Sequence, residues 1–252
     1  MKKFEFTGET KTTVNGIVLH RIKALVRIDL GYGTIIEVGD LGGWLEKEGN
    51  LSYLGNAWVS GDAEVLGDAK IYGDALISGY SRVFGNARIF GNARIYNHAW
   101  IFGNAQVSGY AWIYGNAQVF GDAQVFGDAE VHGNALISGY SRIFGNAQVS
   151  GDAEVLGDAK IYGDSRVYDD ACINKCSHIL NVGPIGSRNE FTTFFRTKDR
   201  KVKVSCGCFL GTIDEFLEKV KQTHGDSKHA IVYKAAADIA LAQIDTSDED
   251  DT

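Results

Sequence analysis

From Ala57 onward the chain repeats a six-residue pattern: a small residue, a variable one, Val or Ile, a second variable one, then Gly followed by Asp or Asn. Ala holds the small position at 57, 63, 69 and 75 and again from 87 to 135; Ser81, Ser141 and Ser165 replace it, and Ala171 ends the series. Val or Ile follows two residues later in every repeat from Val59 to Ile173, without an insertion. In an extended chain, residues two apart share a face. The small and the β-branched residue therefore point inward, and the residue between them points outward. Gly-Asp and Gly-Asn suit the positive-φ backbone of a tight corner. Three six-residue sides close a triangular coil of 18 residues. Coils stacked ~4.8 Å apart pair their backbones along the axis, so about seven coils predict a prism ~30–35 Å tall. A helix is excluded, because Gly in nearly every repeat would destroy it.

The flanking segments lose this period. Near the start, Asn15-Gly16 between apolar runs predicts a type I′ hairpin. Residues 24–28 and 34–38 read as two further strands, and Leu41 to Trp44 as a cover for the open end of the first coil. Solenoids need such caps, because a bare end exposes core and unpaired backbone. After Ser177, Glu190 to Arg196 and Val202 to Cys206 read as a hairpin around Thr-Lys-Asp-Arg-Lys. Thr212 and Glu215 form a capping box opening a helix to about His224, stopped by Gly225; a second helix runs from Asp226 or Ser227 to about Ile244. The expected organisation is a β cap over 1–50, a hexapeptide-repeat β-helix over 51–181, an α+β module over 182–245 and a disordered acidic tail over 246–252.

The stretch from Asn56 to about Ser177 resembles the hexapeptide-repeat, left-handed parallel β-helix family. The lead-in Gly42-Gly43-Trp44-Leu45, then Glu48-Gly49-Asn50-Leu51 and Gly55-Asn56-Ala57-Trp58-Val59, is similar to a bacterial and phage-borne subgroup whose members carry a transferase label. The resemblance implies that the coils are left-handed and that the chain assembles as a homotrimer; with the N-terminal β cap and the small C-terminal α+β module read above, the expected fold is an all-β solenoid.

A step of 18 residues sorts the outward side chains into three columns. Trp58, Leu76, Arg94, Trp112, Glu130, Gln148 and Arg166 form one, and Glu64, Arg82, Trp100, Gln118, Leu136, Glu154 and Cys172 another. These two mix Trp and Leu with charges, as an oligomer or partner surface does. The third, Lys70, Arg88, Gln106, Gln124, Arg142, Lys160 and His178, is polar and is expected to face water. Trp58, Trp100 and Trp112 are the candidate binding residues of the prism. The residue after each Val or Ile builds aromatic ladders such as Phe84, Phe102 and Phe120.

For chemistry, hexapeptide acyltransferases commonly use a His as general base, which requires hydrogen-bond reach of the acceptor. The repeats offer His98, at a corner, and His132, in a ladder, with no inserted loop beside either. Residues 75–82 recur at 135–142, a shift of 60, which moves the block onto a different side. A chain whose segments move between sides does not depend on one catalytic layout. Function therefore leans to a non-catalytic binding or scaffold protein, phage-encoded by resemblance, that sequesters a host signalling ligand or blocks a host defence protein. The alternatives are an acyltransferase with His98 or His132 at a subunit interface, and a structural phage component.

Charge narrows the partners. The net charge is −7, but residues 245–252 carry five acids and no base, which leaves −2 for the body. From Arg188 to Val204, six bases face two acids; Arg188, Arg196, Arg200 and Lys201 are candidate contacts for a small anionic ligand or an acidic host protein. A nucleic-acid platform is not expected, since aromatics there are limited to Phe191, Phe194 and Phe195. With 31 Gly and 1 Pro the composition is neither collagen-like nor that of a disordered chain. No targeting or membrane segment is visible, so a cytoplasmic chain with reduced thiols and no cofactor is expected. Cys172, Cys176, Cys206 and Cys208 are weak zinc candidates, because Cys-x-Cys is tight for paired ligands.

Overall fold

The structure, a computed structural model, describes residues 2–247. Most of the expected acidic tail lies outside the described residues. The six-residue pattern folds into a parallel β-solenoid of about seven turns, whose rungs are two-residue strands such as Glu64–Val65, Arg82–Val83 and Trp100–Ile101. Each rung pairs with the one 18 residues on, as in Arg82↔Trp100 and Trp100↔Gln118. The small and β-branched positions fill the axis: Ala63, Val65, Ala117 and Val119 are all fully buried.

The three columns read from the sequence are the three faces. We call them the hairpin face (Glu64 to Cys172), the tyrosine face (Trp58 to Arg166) and the basic face (Lys70 to Lys160). His178 departs from its column. It lies in a 3-10 turn, Cys176–His178, and is 1% exposed rather than facing water.

The corners set the stacking distance. Gly109 has φ +70, and a Cβ there would meet the backbone N and O of Gly127 at 2.7 Å. Asn97 and Asp169 keep the positive φ (61° and 62°) where Gly is missing. Between coils, corner amides form ladders that end on a carboxylate: Asn86 donates to Asn104 at 3.1 Å and Asn104 to Asp122 at 3.0 Å.

Backbone direction makes the two ends chemically different. Between coils, the rung N–H groups donate to carbonyls of the following coil, as Trp100 N to Ala117 O at 2.9 Å. The first coil is therefore left with carbonyls and the last with N–H groups, and each needs a partner. At the start, Lys3 Nζ donates to Gly55 O and Ala57 O, and Asn50 Nδ2 to Gly67 O and Ala69 O. At the other end, Thr193 Oγ1 accepts from Arg166 N at 3.0 Å.

The N-terminal strands Phe4–Thr12 and Val18–Ala24 form a hairpin that extends the hairpin face. Its turn is not type I′. Asn15 keeps a negative φ, Gly16 alone is positive (φ 79), and Thr13 N bonds Ile17 O in a longer loop closed by glycine. The strand expected over 24–28 does not form as one: Ala24 ends the strand Val18–Ala24, Leu25 N adds one bond to Lys3 O, and beyond it Ile28–Asp29 pairs separately with Ile35–Ile36. Leu41–Leu45 is itself a rung, with Trp44 opposite Glu64. Phe4, Ile22, Ala24, Ile28 and Leu30 cover the end of the core instead.

At the far end, Ile179–Ile185, Glu190–Arg196, Val202–Cys206 and Phe209–Thr212 make an antiparallel sheet. The helices Ile213–His224 and Lys228–Gln243 pack on it around Phe194, Val204, Phe216 and Tyr233. The expected capping box forms, with Glu215 N donating to Thr212 Oγ1 and Thr212 N to Glu215 Oε2. Among the described residues no helix is long and apolar enough to cross a membrane.

Candidate functional site

On the tyrosine face the 18-residue register stacks Arg94, Trp112, Glu130, Gln148 and Arg166 in one outward column. Beside it, Tyr96, Tyr114 and His132 stack at 4.9 and 4.7 Å, their planes within 8°. The column is covered at both ends. Arg94 donates to Leu30 O from the N-terminal loop, and Arg166 to Gly207 O from the C-terminal sheet. The open stretch between them carries Trp112, 43% exposed, with Tyr96 edge-on at 6.3 Å. Glu130 is half-buried and forms no ion pair or side-chain hydrogen bond with the described residues.

Burial sets the protonation of this floor. It pushes the Tyr96 phenol up to about 12, with Tyr114 and Glu130 adding to the effect. It raises Tyr114 and Tyr168 as well. Burial also lowers His132, against the opposing pull of Glu130, so the imidazole is neutral at pH 7. Tyr168 donates to Gln148 Oε1 at 2.8 Å, which leaves the amide Nε2 as an outward donor. The floor thus offers flat aromatic surface, phenolic donors, an amide and one unpaired carboxylate.

The hairpin face presents the second exposed indole. Trp100, 39% exposed, lies edge-on to Phe84 at 6.3 Å, and Phe84, Phe102 and Phe120 stack at 4.9 and 4.7 Å. The Arg82 guanidinium sits over Trp100 at 5.3 Å and is held by Glu64, which also pairs with Lys11.

Trp58 does not join them. It is 0% exposed, in one buried cluster with Ile28 and Leu30, because the N-terminal loop folds over the first coil. His98 is an exposed corner residue stacked on Tyr80 at 5.2 Å, and His132 lies on the tyrosine face. The two are not brought together into one site.

The basic hairpin is largely neutralised where it docks. Lys198 pairs with Glu154, Lys201 with Asp199, and Lys203 with Asp169 and Asp170, all at 2.5–2.7 Å. Arg196 is no surface contact: it is 5% exposed, with Nη1 at 3.1 Å from both ring nitrogens of His178. Arg200 and Lys201 are exposed near the turn, whereas Arg188 lines a cleft of the C-terminal sheet.

Cys172 occupies an outward rung position and Cys176 an exposed turn; Cys206 accepts from Thr192 Oγ1 at 3.2 Å, and Cys208 is exposed. Among the described residues no three His, Cys, Asp or Glu side chains converge to hold a metal ion.

Sequence reasoning placed Glu130 and Gln148 in a column but missed them as a site with Tyr96, Tyr114 and Tyr168. The signal was present: the same 18-residue step, applied two residues later, brings the tyrosines beside the column's only acid. No model of a protein family matches the chain, and no curated protein matches it either.

Proposed function

We propose that the protein is a non-catalytic binding scaffold: a left-handed β-helix of the hexapeptide-repeat type, trimeric, that engages a partner through its tyrosine and hairpin faces. One observation carries this reading. Trp100 and Trp112 stand 39% and 43% exposed on two faces, each locked edge-on to a stacked ladder. Exposed, immobilised indoles cost little entropy on docking and are the residue type that dominates interface energetics. In the form the family resemblance implies, the chain is phage-borne and cytoplasmic, and its partner is a host signalling ligand or a host defence protein.

Native mass spectrometry of the protein purified from a bacterial host tests this. The expected result is a trimer that retains a partner or a stoichiometric small molecule, with retention lost in Trp100→Ala/Trp112→Ala. A monomer with no retained species, unchanged by that double substitution, would overturn it.

A second reading, acyl transfer with His132 as general base, is favoured by the neutral imidazole beside Glu130. It requires turnover of an acyl donor that disappears in His132→Ala while the fold persists.

A further inference from the structure

A cleft of about 270 Å³ opens on the C-terminal sheet, with Gly207, whose carbonyl accepts from Arg166, among its lining residues. Its floor is apolar and comes from three elements: Phe209 from the last strand, Phe216 from the first helix and Tyr233 from the second. The rings are fixed against one another, Phe209 and Phe216 at 5.6 Å and Phe216 and Tyr233 at 5.5 Å. The Tyr233 hydroxyl lies against Gly186, where a Cβ would collide with it, so the floor has one seat for that ring.

The rim is charged. Arg188 and Lys219 both line the cleft from different elements, one on the turn before Glu190–Arg196 and the other on the first helix. Both are exposed, and neither forms an ion pair with a described residue. On the neighbouring hairpin, by contrast, Lys198, Lys201 and Lys203 are each held by a carboxylate. Glu190 is the one acid at the rim, so two cations face one carboxylate. At ~30 Å³ for each water displaced, the cleft holds roughly nine waters, the size of a single ring with a short side chain.

We propose that this cleft binds a small amphiphilic carboxylate, with its apolar body on Phe209, Phe216 and Tyr233 and its carboxylate between Arg188 and Lys219. An apolar pocket with a few convergent polar groups is the usual form of a small-molecule site. The excess of unpaired positive charge selects an acid over an amine. The same chemistry comes from two sources, a free aryl or alkyl acid and the C-terminal residue of a peptide. The inference is independent of the reading of the solenoid faces.

The test titrates the full chain with 3-phenylpropionate, 3-phenylpropanamide, phenethylamine and N-acetyl-phenylalanine, with backbone NMR shifts as the readout. Expected are shifts mapping to Gly207, Phe209 and Lys219, with the acid binding about tenfold tighter than the amide. One charge-assisted contact gives a preference of that order. The preference disappears in Arg188→Ala/Lys219→Ala and survives in Trp100→Ala/Trp112→Ala. Tighter binding of N-acetyl-phenylalanine than of 3-phenylpropionate assigns the cleft to a chain terminus, and the reverse order assigns it to a free acid. Equal binding of acid and amide, tighter binding of the amine, shifts outside the cleft, or no binding by any probe at 10 mM overturns the proposal. Because the tryptophan variant retains binding, loss of the scaffold reading and loss of this site are separate results.

Discussion

Arg94 and Arg166 stand four coils apart in one outward column and hold opposite ends of the molecule by the same contact, each donating to a backbone carbonyl: Leu30 O at 2.5 Å and Gly207 O at 3.2 Å. The solenoid thus uses its own rungs to tie down the pieces that close it. Arg94 also donates to Asp74 O at 2.8 Å, and burial lowers its pKa without threatening its charge at neutral pH. Arg94→Ala should destabilise the chain by about 1–2 kcal/mol, the range for a charge-assisted hydrogen bond in a half-buried setting. Hydrogen exchange should speed up in residues 28–36 and stay unchanged in residues 179–206, with the opposite pattern for Arg166→Ala. Equal acceleration at both ends in either variant would show that the arginines do not act as separate ties.

Lys3 caps the first coil at a cost. Burial lowers its pKa from 10.5 to about 8, and its ammonium donates to the otherwise unpaired carbonyls of Gly55 and Ala57. Between pH 8 and 10.5 the unfolded chain holds this proton more firmly than the folded one, so the contribution of Lys3 to stability rises with pH across that window. Urea midpoints at pH ~7.5 and ~9.5 should differ less in Lys3→Met than in the parent. The variant should also be weaker overall by about 1–3 kcal/mol, for two buried carbonyls left without a donor. An unchanged pH slope would assign the titration to another group.

Two glycines with positive φ separate conformation from crowding. Gly16, with φ +79, closes the N-terminal hairpin loop and has nothing within 4 Å of a built Cβ. Gly109→Ala should exceed Gly16→Ala in cost by at least ~2 kcal/mol, since both have positive φ but only Gly109 collides with the next coil. Thermal unfolding of the two variants side by side decides it; equal losses would mean that the coils can spread.

Asn104 sits between Asn86 and Asp122, accepting from one and donating to the other. Asn104→Asp keeps the acceptor but sets two carboxylates against each other, which should cost ~0.5–1 kcal/mol at pH 7 for an exposed pair. Mutual repulsion raises the folded pKa of the pair above the unfolded value, so the loss should fade as pH drops through the carboxylate range. A loss that persists at pH ~3 would assign it to geometry rather than charge.

The solenoid was legible from Ala57 to Ile173 because its rule is local. Whether a residue points in or out depends on its neighbours two positions away, and Gly-Asp or Gly-Asn turns most corners without help from distant residues. The helix Ile213–His224 was legible for the same reason, through its Thr212 and Glu215 cap. The hairpin turn at Asn15 was misread because the strands dictate its length: Thr13 N reaches Ile17 O and leaves no two-residue loop. The site on the tyrosine face was half legible. Its column followed from the 18-residue step, but the unpaired state of Glu130 did not, since pairing depends on which arginines are already engaged elsewhere.

Trp58 and Trp112 mark the boundary most plainly. They occupy the same position in the repeat, three coils apart in one column, yet one is fully buried and the other 43% exposed. His178 and Arg196 repeat the lesson, a ring read as solvent-facing and a guanidinium read as a surface contact that meet in a buried pair. By itself the sequence determined the coil, its three faces and the content of each column up to Cys172, because periodicity is a property of neighbours along the chain. Only the tertiary structure decided which outward residues reach solvent, because that depends on where the end pieces fold back, and those contacts join residues tens of positions apart.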